Sequence, residues 1–305
     1  ALDVKSKENH PYVVTEQNLT IRRVQPKGGM RHAVFFTHAR EVIHYQYERN
    51  PSDPRVSHQL TLEVDSFGNL LKSVSVNYGR RQPDLALSAE DQAKQKQVAI
   101  LSTENRFTNS VLQEDDYRTP LPSEACTYEL TGYTPSGENG RYGPGDFLHY
   151  DNEIPYEQGP TSGKQRRQIE QVRTLYRKND LSAPLPLGQV ESLACGYESY
   201  KLAFTPGLIP KVYGTRVTDS ILLKEGLYRH LDGDAGWWIP SGRVFYSLPI
   251  NDTAAKELEE AWKHFFLPRR SRDPFGNNSF ISYDKDASNK QYDLLVGTTQ
   301  DAVGN

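Results

Sequence analysis

The sequence predicts a mainly antiparallel β protein with a few short peripheral α-helices. Three observations support this fold class. Apolar and polar residues alternate in successive runs between residues 42 and 78. The apolar fraction is 36%, or roughly 37% when glycine is counted and tyrosine is left out, against about 45–50% in ordinary globular proteins. A five-residue turn motif also recurs along the chain, which is typical of a repeat array.

The first predicted element is an antiparallel meander of three strands. The runs 42–48, 60–64 and 74–78 each place aromatic or β-branched residues on one face and polar residues on the other. Residues 50–54 hold two prolines and two turn formers, so they end the first strand. Asp65–Asn69 is suited to a tight turn between the second and third strands.

Short helices and further strands follow the meander. Ser88 caps a predicted helix that extends to about Val98, with Asp91 at the capping-box position. Residues 97–107 and 168–176 mix β-branched, aromatic and charged residues, which favours strands. Between them, residues 131–163 are rich in glycine, proline and tyrosine. This composition predicts a long loop that packs onto the surface of a sheet.

The C-terminal third predicts two helices. One begins at Thr218 and ends at Gly226. In the other, apolar residues recur with helical spacing, so the predicted buried face contains Leu258, Ala261, Trp262 and Phe265. Glu257 and Glu259 are expected on the solvent face of this helix.

We interpret residues 1–305 as one continuous segment with four regions. These are a β-meander region, a Gly/Pro/Tyr-rich loop, a region of mixed strands and short helices, and a repeat region: 1–130, 131–163, 164–268 and 269–305. The first residues contain neither an initiator methionine nor the apolar run of a signal peptide. We therefore expect the sequence to be a piece of a longer protein.

The recurring motif is D-x-[FV]-G-N. It occurs at residues 65–69, 273–277 and 301–305. Aspartate at the first position bonds to the backbone ahead of it, glycine adopts a positive φ, and Pro274 supplies a φ near −65°. The residues predicted to build these turns are Asp65, Phe67, Gly68, Asn69, Asp273, Pro274, Phe275, Gly276, Asn277, Asp301 and Gly304. We expect Phe67, Phe275 and Val303 to anchor them.

Six runs resemble the B component of insecticidal toxin complexes. They are ERNP with DPR (48–55), LTLEVDSFGN (60–69), YGRRQPD (78–84), YESYKLAFTPGL (197–208), GWWIPSGRVFYS (236–247) and FFLPRRSRDPFGN (265–277). The resembled part is the middle to C-terminal region, which enters the Rhs/YD-repeat portion at Asp273. The resemblance implies an antiparallel sheet strip of a hollow β-shell that encloses a cytotoxic polypeptide.

The same resemblance implies the partners and the location. The C component would complete the shell and supply the enclosed polypeptide, and the pore-forming A component would dock through other parts of the parent protein. The protein would be secreted, with no direct membrane insertion. The self-cleaving end of the C component carries paired D-P-x-G motifs, whereas only Asp273-Pro274 matches here and Asp301-Ala302 lacks the proline. We therefore expect no autoproteolysis in this chain.

Two other functions compete with the shell interpretation. A glycan-binding β module would use Trp237, Trp238 and the 131–163 loop, although large aromatic residues are more often buried. An enzyme similar to arginine-modifying ADP-ribosyltransferases would use residues 102–104 together with Glu257 and Glu259. A pair of glutamates on a solvent-exposed helix face needs no catalytic explanation, so no catalytic residue is predicted.

No cofactor or metal site is predicted either. Residues 159–164 lack the complete pattern of a phosphate-binding loop, and Asp232 and Asp234 lack the remaining ligands of a calcium loop. Cys126 and Cys195 are too few for a disulfide scaffold, and whether they pair is open. The longest apolar runs are too short to cross a membrane.

Charge disfavours nucleic acid as a partner. The formal net charge is −3, so the chain produces no long-range attraction for a polyanion. Arg269, Arg270 and Arg272 form a local basic cluster beside the second turn. We expect these arginines to protect a sheet edge or to form cross-strand ion pairs.

Overall fold

The structure is a computed structural model that describes residues 10–48, 50–231, 233–285 and 291–305. Strands account for most of its regular structure, and neighbouring strands are mainly antiparallel. The predicted fold class, mainly antiparallel β with short helices, is confirmed. Asp232 lies outside the described residues.

The strands and helices have the following bounds. The strands are β1 Val13–Gln25, β2 Val34–Gln46, β3 Arg55–Val64, β4 Leu70–Asn77, β5 Ala99–Phe107, β6 Val111–Leu112, β7 Tyr117–Arg118, β8 Pro122–Thr131, β9 Asn152–Ile154, β10 Gln165–Tyr176, β11 Gly196–Phe204, β12 Trp237–Pro240, β13 Arg243–Phe245, β14 Arg270–Arg272, β15 Asn278–Lys285 and β16 Gln291–Gln300. The α-helices are α1 Ala89–Gln95, α2 Leu208–Tyr213, α3 Asp219–Lys224 and α4 Ala254–Lys263, and short 3₁₀ turns occupy Glu138–Gly140 and Pro144–Phe147.

The chain divides into two compact units. Unit 1 comprises residues 1–104 and 127–169, and unit 2 comprises residues 105–126 and 170–305. Strands β5, β8 and β10 carry residues of both units. The interpretation of residues 1–305 as one continuous shell segment stays a prediction.

The core of unit 1 lies on one face of its sheet. Strands β1 to β5 pair in chain order as antiparallel neighbours. The register places Ile43 opposite His58, His58 opposite Val76, and Val76 opposite Ile100. All four side chains are buried. The predicted meander is confirmed, because β2, β3 and β4 cover its three runs except for one or two residues at the ends of the first and third.

The Gly/Pro/Tyr-rich loop covers this sheet face. Tyr133, Tyr142 and Phe147 are buried and pack on one another, with ring centroids 5.4–5.5 Å apart along the series. The backbone N–H of Tyr142 donates to the hydroxyl of Tyr78 at 3.0 Å. Arg141 forms an ion pair with Glu16 at 2.8 Å. The prediction of a loop packed onto a sheet is confirmed.

Two apolar clusters lie among the described residues of unit 2. One gathers Leu181, Cys195, Tyr246 and Ala261, and the other gathers Ile209, Leu222 and Trp237. Strands β10, β11 and β12 pair antiparallel, and β13 to β16 form a separate four-stranded antiparallel sheet. Helix α3 begins after the Thr218 cap and ends before Gly226, as its sequence predicts.

The predicted buried face of α4 is partly wrong. Leu258 and Ala261 pack into the core, but Trp262 is 62% exposed and Phe265 is 76% exposed. The buried face is displaced toward Glu257, which is 4% exposed rather than solvent-facing. The helix ends at Lys263, and Phe265 then adopts a φ of 54°. Phe266, and not Phe265, packs against the buried Tyr246 ring.

Candidate functional site: aspartate turns and buried polar contacts

The D-x-[FV]-G-N motif forms the same turn at each of its positions. The backbone N–H of the aspartate donates to the carbonyl of the asparagine at 3.0–3.1 Å. The glycine adopts φ values of 91°, 90° and 92°, in the left-handed region that glycine enters at little cost. The first turn joins β3 to β4, the second joins β14 to β15, and the third follows β16.

The aspartate side chain ties both ends of each turn together. One carboxylate oxygen accepts the backbone N–H of the asparagine at 2.8–2.9 Å. The other accepts the asparagine side-chain amide at 2.8–2.9 Å. Both carboxylate oxygens are used as acceptors, which explains why the first position carries an acid and the fifth an asparagine.

These hydrogen bonds lower the pKa of each aspartate. Burial acts to raise the pKa of Asp65, but hydrogen bonds from Asn69 and the turn backbone outweigh it. For Asp273 the leading cause of the lower pKa is the hydrogen bond from the Asn277 side chain, and for Asp301 it is the one from Asn305. Each turn is therefore stabilised by an ionised carboxylate.

The apolar third residue of the motif does not anchor its turn by burial. Phe67 is 41% exposed, Phe275 is 66% exposed and Val303 is 83% exposed. The expected anchoring is not supported for Phe275 and Val303, because most of their surface is exposed while the carboxylate hydrogen bonds close each turn. The three side chains instead present apolar surface at the turn tips.

A chain of hydrogen bonds crosses the core of unit 1. The Tyr142 backbone N–H donates to the Tyr78 hydroxyl at 3.0 Å, and that hydroxyl lies 3.1 Å from Nδ1 of His58. Nε2 of His58 lies 2.8 Å from a carboxylate oxygen of Glu41. A free lone pair on Nδ1 accepts the hydrogen bond of the Tyr78 hydroxyl, so the imidazole fits here in its neutral form, whereas Nε2 lies close to Glu41 without hydrogen-bond geometry.

Burial lowers the pKa of His58, and Glu41 opposes this effect only in part. The side chain has 0% exposure, so its protonated form would be poorly solvated. Sequence analysis missed this group, although His58 shares the alternation of Leu60, Leu62 and Val64. A polar residue in phase with an apolar strand face is the signal that could have found it.

A buried ion pair lies in unit 2. The guanidinium of Arg177 contacts both carboxylate oxygens of Glu257, at 2.9 and 2.7 Å, and both residues are at least 96% buried. Glu257 also accepts the backbone N–H of Tyr246 at 3.1 Å. A bidentate pair of this kind orients α4 against the core. The two residues are 80 positions apart, so no local pattern predicts the pair.

The residues of the competing functions are largely enclosed. Trp237 is 4% exposed and Trp238 is 0% exposed, with the Arg173 guanidinium 4.5 Å from the Trp238 ring centroid. The two tryptophans therefore offer no platform for a sugar ring. Glu257 is occupied by Arg177, and the exposed Glu259 pairs with Lys263 at 2.8 Å.

The remaining sequence motifs are structural. Lys164 is followed by β10, whereas a phosphate-binding loop leads into a helix. Asp234 accepts the Gly236 backbone N–H at 2.7 Å and lies 3.2 Å from Arg173, so it belongs to a turn. Cys126 and Cys195 are buried and form no disulfide. Burial raises the pKa of the Cys195 thiol.

The basic cluster differs from its prediction. Arg269 is 8% exposed and Arg270 is 2% exposed. Nη1 of Arg269 lies 3.9 Å from Glu260, but Arg270 and Arg272 pair with no carboxylate among the described residues. The expected cross-strand ion pairs are therefore absent at these two positions.

Neither a metal centre nor a membrane span is found within the described ranges. No group of three or more His, Cys, Asp or Glu side chains there is arranged to hold a metal ion. No helix in that part of the chain is both long and apolar enough to cross a bilayer.

Comparisons with known proteins agree with the antiparallel β fold. Residues 1–121 match the family described as the middle/C-terminal region of the insecticide toxin TcdB. A solved structure titled "Crystal Structure of TcdB2-TccC3 without hypervariable C-terminal region" matches 99% of this chain with a TM-score of 0.61 and 19% identity. This chain spans only 15% of that one. No curated protein sequence matches. The recognised resemblance to a toxin-complex B component is confirmed.

Proposed function

We propose that this chain is a non-enzymatic part of a toxin-complex B component, and that it helps to form a hollow β-shell which encloses and delivers a cytotoxic polypeptide. The observation that carries the proposal is the fold likeness over 99% of the chain. The family match over residues 1–121 supports it independently.

The polar face of the unit 1 sheet suits a wall. Side chains on the face opposite the core are mostly small, polar and uncharged: Ser57, Gln59, Thr61, Ser73, Ser75 and Thr103. Gln59 donates to Ser75 across the strands at 2.9 Å. A neutral hydroxyl and amide surface offers an unfolded polypeptide little apolar area to adhere to.

The partners in this proposal follow from the resemblance. The C component would complete the shell and supply the enclosed polypeptide, while the A component would dock through other parts of the parent protein. The assembly would act outside the producing cell. Nucleic acid and direct membrane insertion have no role in it.

The decisive experiment uses the full parent chain co-expressed with its C component. Electron microscopy should show a hollow particle, and a protease should leave the C-terminal part of the C component intact. A solid particle with a freely digested partner would overturn the proposal.

A variant tests the role of this segment within the assembly. Asp65→Ala in the parent chain removes the carboxylate that closes the β3–β4 turn, so the enclosed part should become sensitive to protease. Asp115→Ala is the matched control, because Asp115 is exposed and makes no hydrogen bond or ion pair within the described residues. If the enclosed polypeptide is equally protected from protease in both variants, the β3–β4 turn is not needed for a closed wall.

A further inference from the structure

Three arginines surround one aromatic ring on the four-stranded sheet of unit 2. The register of β13 and β14 places Arg243 opposite Arg272 and Phe245 opposite Arg270. The guanidinium carbons of Arg270, Arg272 and Arg243 lie 3.8, 5.1 and 5.8 Å from the Phe245 ring centroid. We call these three arginines with Phe245 the arginine face.

The arginine face lacks compensating negative charge. Among the described residues, the only carboxylate within ion-pair distance of it is Glu198, which lies 3.3 Å from Arg243. Arg243 also donates to the hydroxyl of Tyr197. Among the described residues, the side chain of Arg272 makes no hydrogen bond or ion pair. Within ion-pair distance, three cations therefore face one acid among the described residues, and Glu257 and Asp252 act on Arg270 only from farther away.

The arrangement opposes the usual pairing rules of a sheet. Like charges directly opposite each other on neighbouring strands repel, yet Arg243 and Arg272 occupy such positions. Arg270 is 2% exposed, donates from Nη1 to Asn278 at 2.9 Å, and leaves Nε buried without a hydrogen-bond partner. Burial together with the charge of Arg272 lowers the pKa of Arg270. An anion bound at this face would relieve both the repulsion and the charge deficit.

We propose that the arginine face binds a carboxylate-rich segment of a partner polypeptide, with Arg272 and Arg243 as its main contacts. A guanidinium donates two parallel hydrogen bonds to one carboxylate, which gives direction as well as affinity. The Phe245 ring supports the guanidinium groups of Arg270 and Arg272, and the Tyr197 ring, with its centroid 3.9 Å from the guanidinium carbon of Arg243, supports that arginine. This site is independent of the encapsulation proposal, because binding can occur with or without a closed shell.

The size and charge of the face favour an acidic peptide over nucleic acid. Residues on adjacent strands are about 5 Å apart, and alternate residues along a strand are about 7 Å apart. Arg243 and Arg272 therefore fit one or two carboxylates of an extended peptide. A nucleic-acid site needs a longer basic track, and the chain as a whole carries a net charge of −3.

The test measures binding of a fluorescein-labelled decaglutamate peptide to the 305-residue chain by fluorescence anisotropy. Arg272→Gln should weaken binding at least about fivefold and Arg272→Glu at least about tenfold, since the second change also repels the ligand. Affinity should fall as salt is added. Arg216→Gln is the matched control, because Arg216 is an exposed arginine of the same unit with no side-chain partner among the described residues.

Arg272→Glu also separates lost binding from misfolding. The new glutamate would lie opposite Arg243 and pair with it, so the thermal midpoint should stay equal or rise while affinity falls. Affinity equal to wild type in both Arg272 variants would overturn the proposal. Tighter binding of an oligothymidine of ten nucleotides than of decaglutamate would overturn it as well.

Discussion

The two units both bury a polar group, but they stabilise it in different ways. Unit 1 encloses His58, whose contacts with Tyr78 and Glu41 suit a neutral imidazole. Unit 2 encloses Arg177 and Glu257, which compensate each other as a bidentate ion pair. The histidine takes up a proton in mild acid only when the chain unfolds, whereas the arginine stays charged at any ordinary pH. The two units should therefore respond differently to mutation and to pH.

The largest effect should come from breaking the ion pair. Glu257→Gln keeps the size of the side chain but leaves Arg177 buried without a counter-charge. We expect a loss of about 3–5 kcal/mol in the free energy of unfolding of unit 2. Urea unfolding followed by tryptophan fluorescence measures it, because Trp237, Trp238 and Trp262 all lie in unit 2.

Glu259→Gln is the control for this experiment. Glu259 is on the same helix, but it is exposed and pairs with Lys263 at the surface, so the unfolding midpoint should hardly move. Equal midpoints for the two variants would show that the buried pair does not hold α4.

The next largest effect should be a pH dependence that is confined to unit 1. Burial lowers the pKa of His58 in the folded state, while the unfolded value is about 6.5. Below the unfolded pKa only the unfolded chain takes up the proton, so stability is complete above it and falls as the pH decreases. The slope should approach about 1.4 kcal/mol per pH unit.

Hydrogen exchange of the β3 and β4 amides measures this slope. Protection should decrease between neutral and mildly acidic pH after correction for the intrinsic exchange rate, and the amides near Tyr246 should not follow. His58→Leu should flatten the profile, whereas His149→Gln should leave it unchanged, because the His149 side chain is 75% exposed. A slope that survives in His58→Leu would assign the pH response to another group.

A smaller effect is expected at the turn that joins β3 and β4. Asp65→Ala removes the acceptor of three hydrogen bonds, which should cost about 1–2 kcal/mol net. Hydrogen exchange at residues 70–72 reports the change. Asp273→Ala should have a smaller effect on its own hairpin, because the second turn is more exposed than the first. A larger loss at Asp273 would contradict this ranking.

Local features of this fold could be predicted from the sequence, and distant pairings could not. The turn at Asp65 depends on five consecutive residues, and the Ser88 cap of α1 depends on four, so both patterns are complete within a short window. Arg177 and Glu257 meet only after the chain has folded. Neither residue has a neighbour that indicates the other.

Helix α4 shows how a local pattern can mislead. Its apolar spacing predicts burial of Trp262 and Phe265, because these large aromatic residues are the most hydrophobic members of the pattern. The same pattern predicts that Glu257 faces solvent, where acids usually lie. The buried cation of Arg177 reverses this preference and rotates the buried face toward Glu257. The ion pair between Arg177 and Glu257, and not the apolar spacing alone, therefore sets which face of α4 is buried.

The smallest effect should follow from Trp262→Ala. Trp262 is 62% exposed and meets Phe266 edge-on, with centroids 4.9 Å apart, so its removal should cost less than about 1 kcal/mol. Ala261→Leu, one residue earlier, places a larger side chain at a position with 0% exposure and should cost about 1–3 kcal/mol. Thermal unfolding followed by far-UV circular dichroism compares the two. A greater loss for Trp262→Ala would mean that the aromatic side chain, and not the Glu257 side of α4, holds the helix on unit 2.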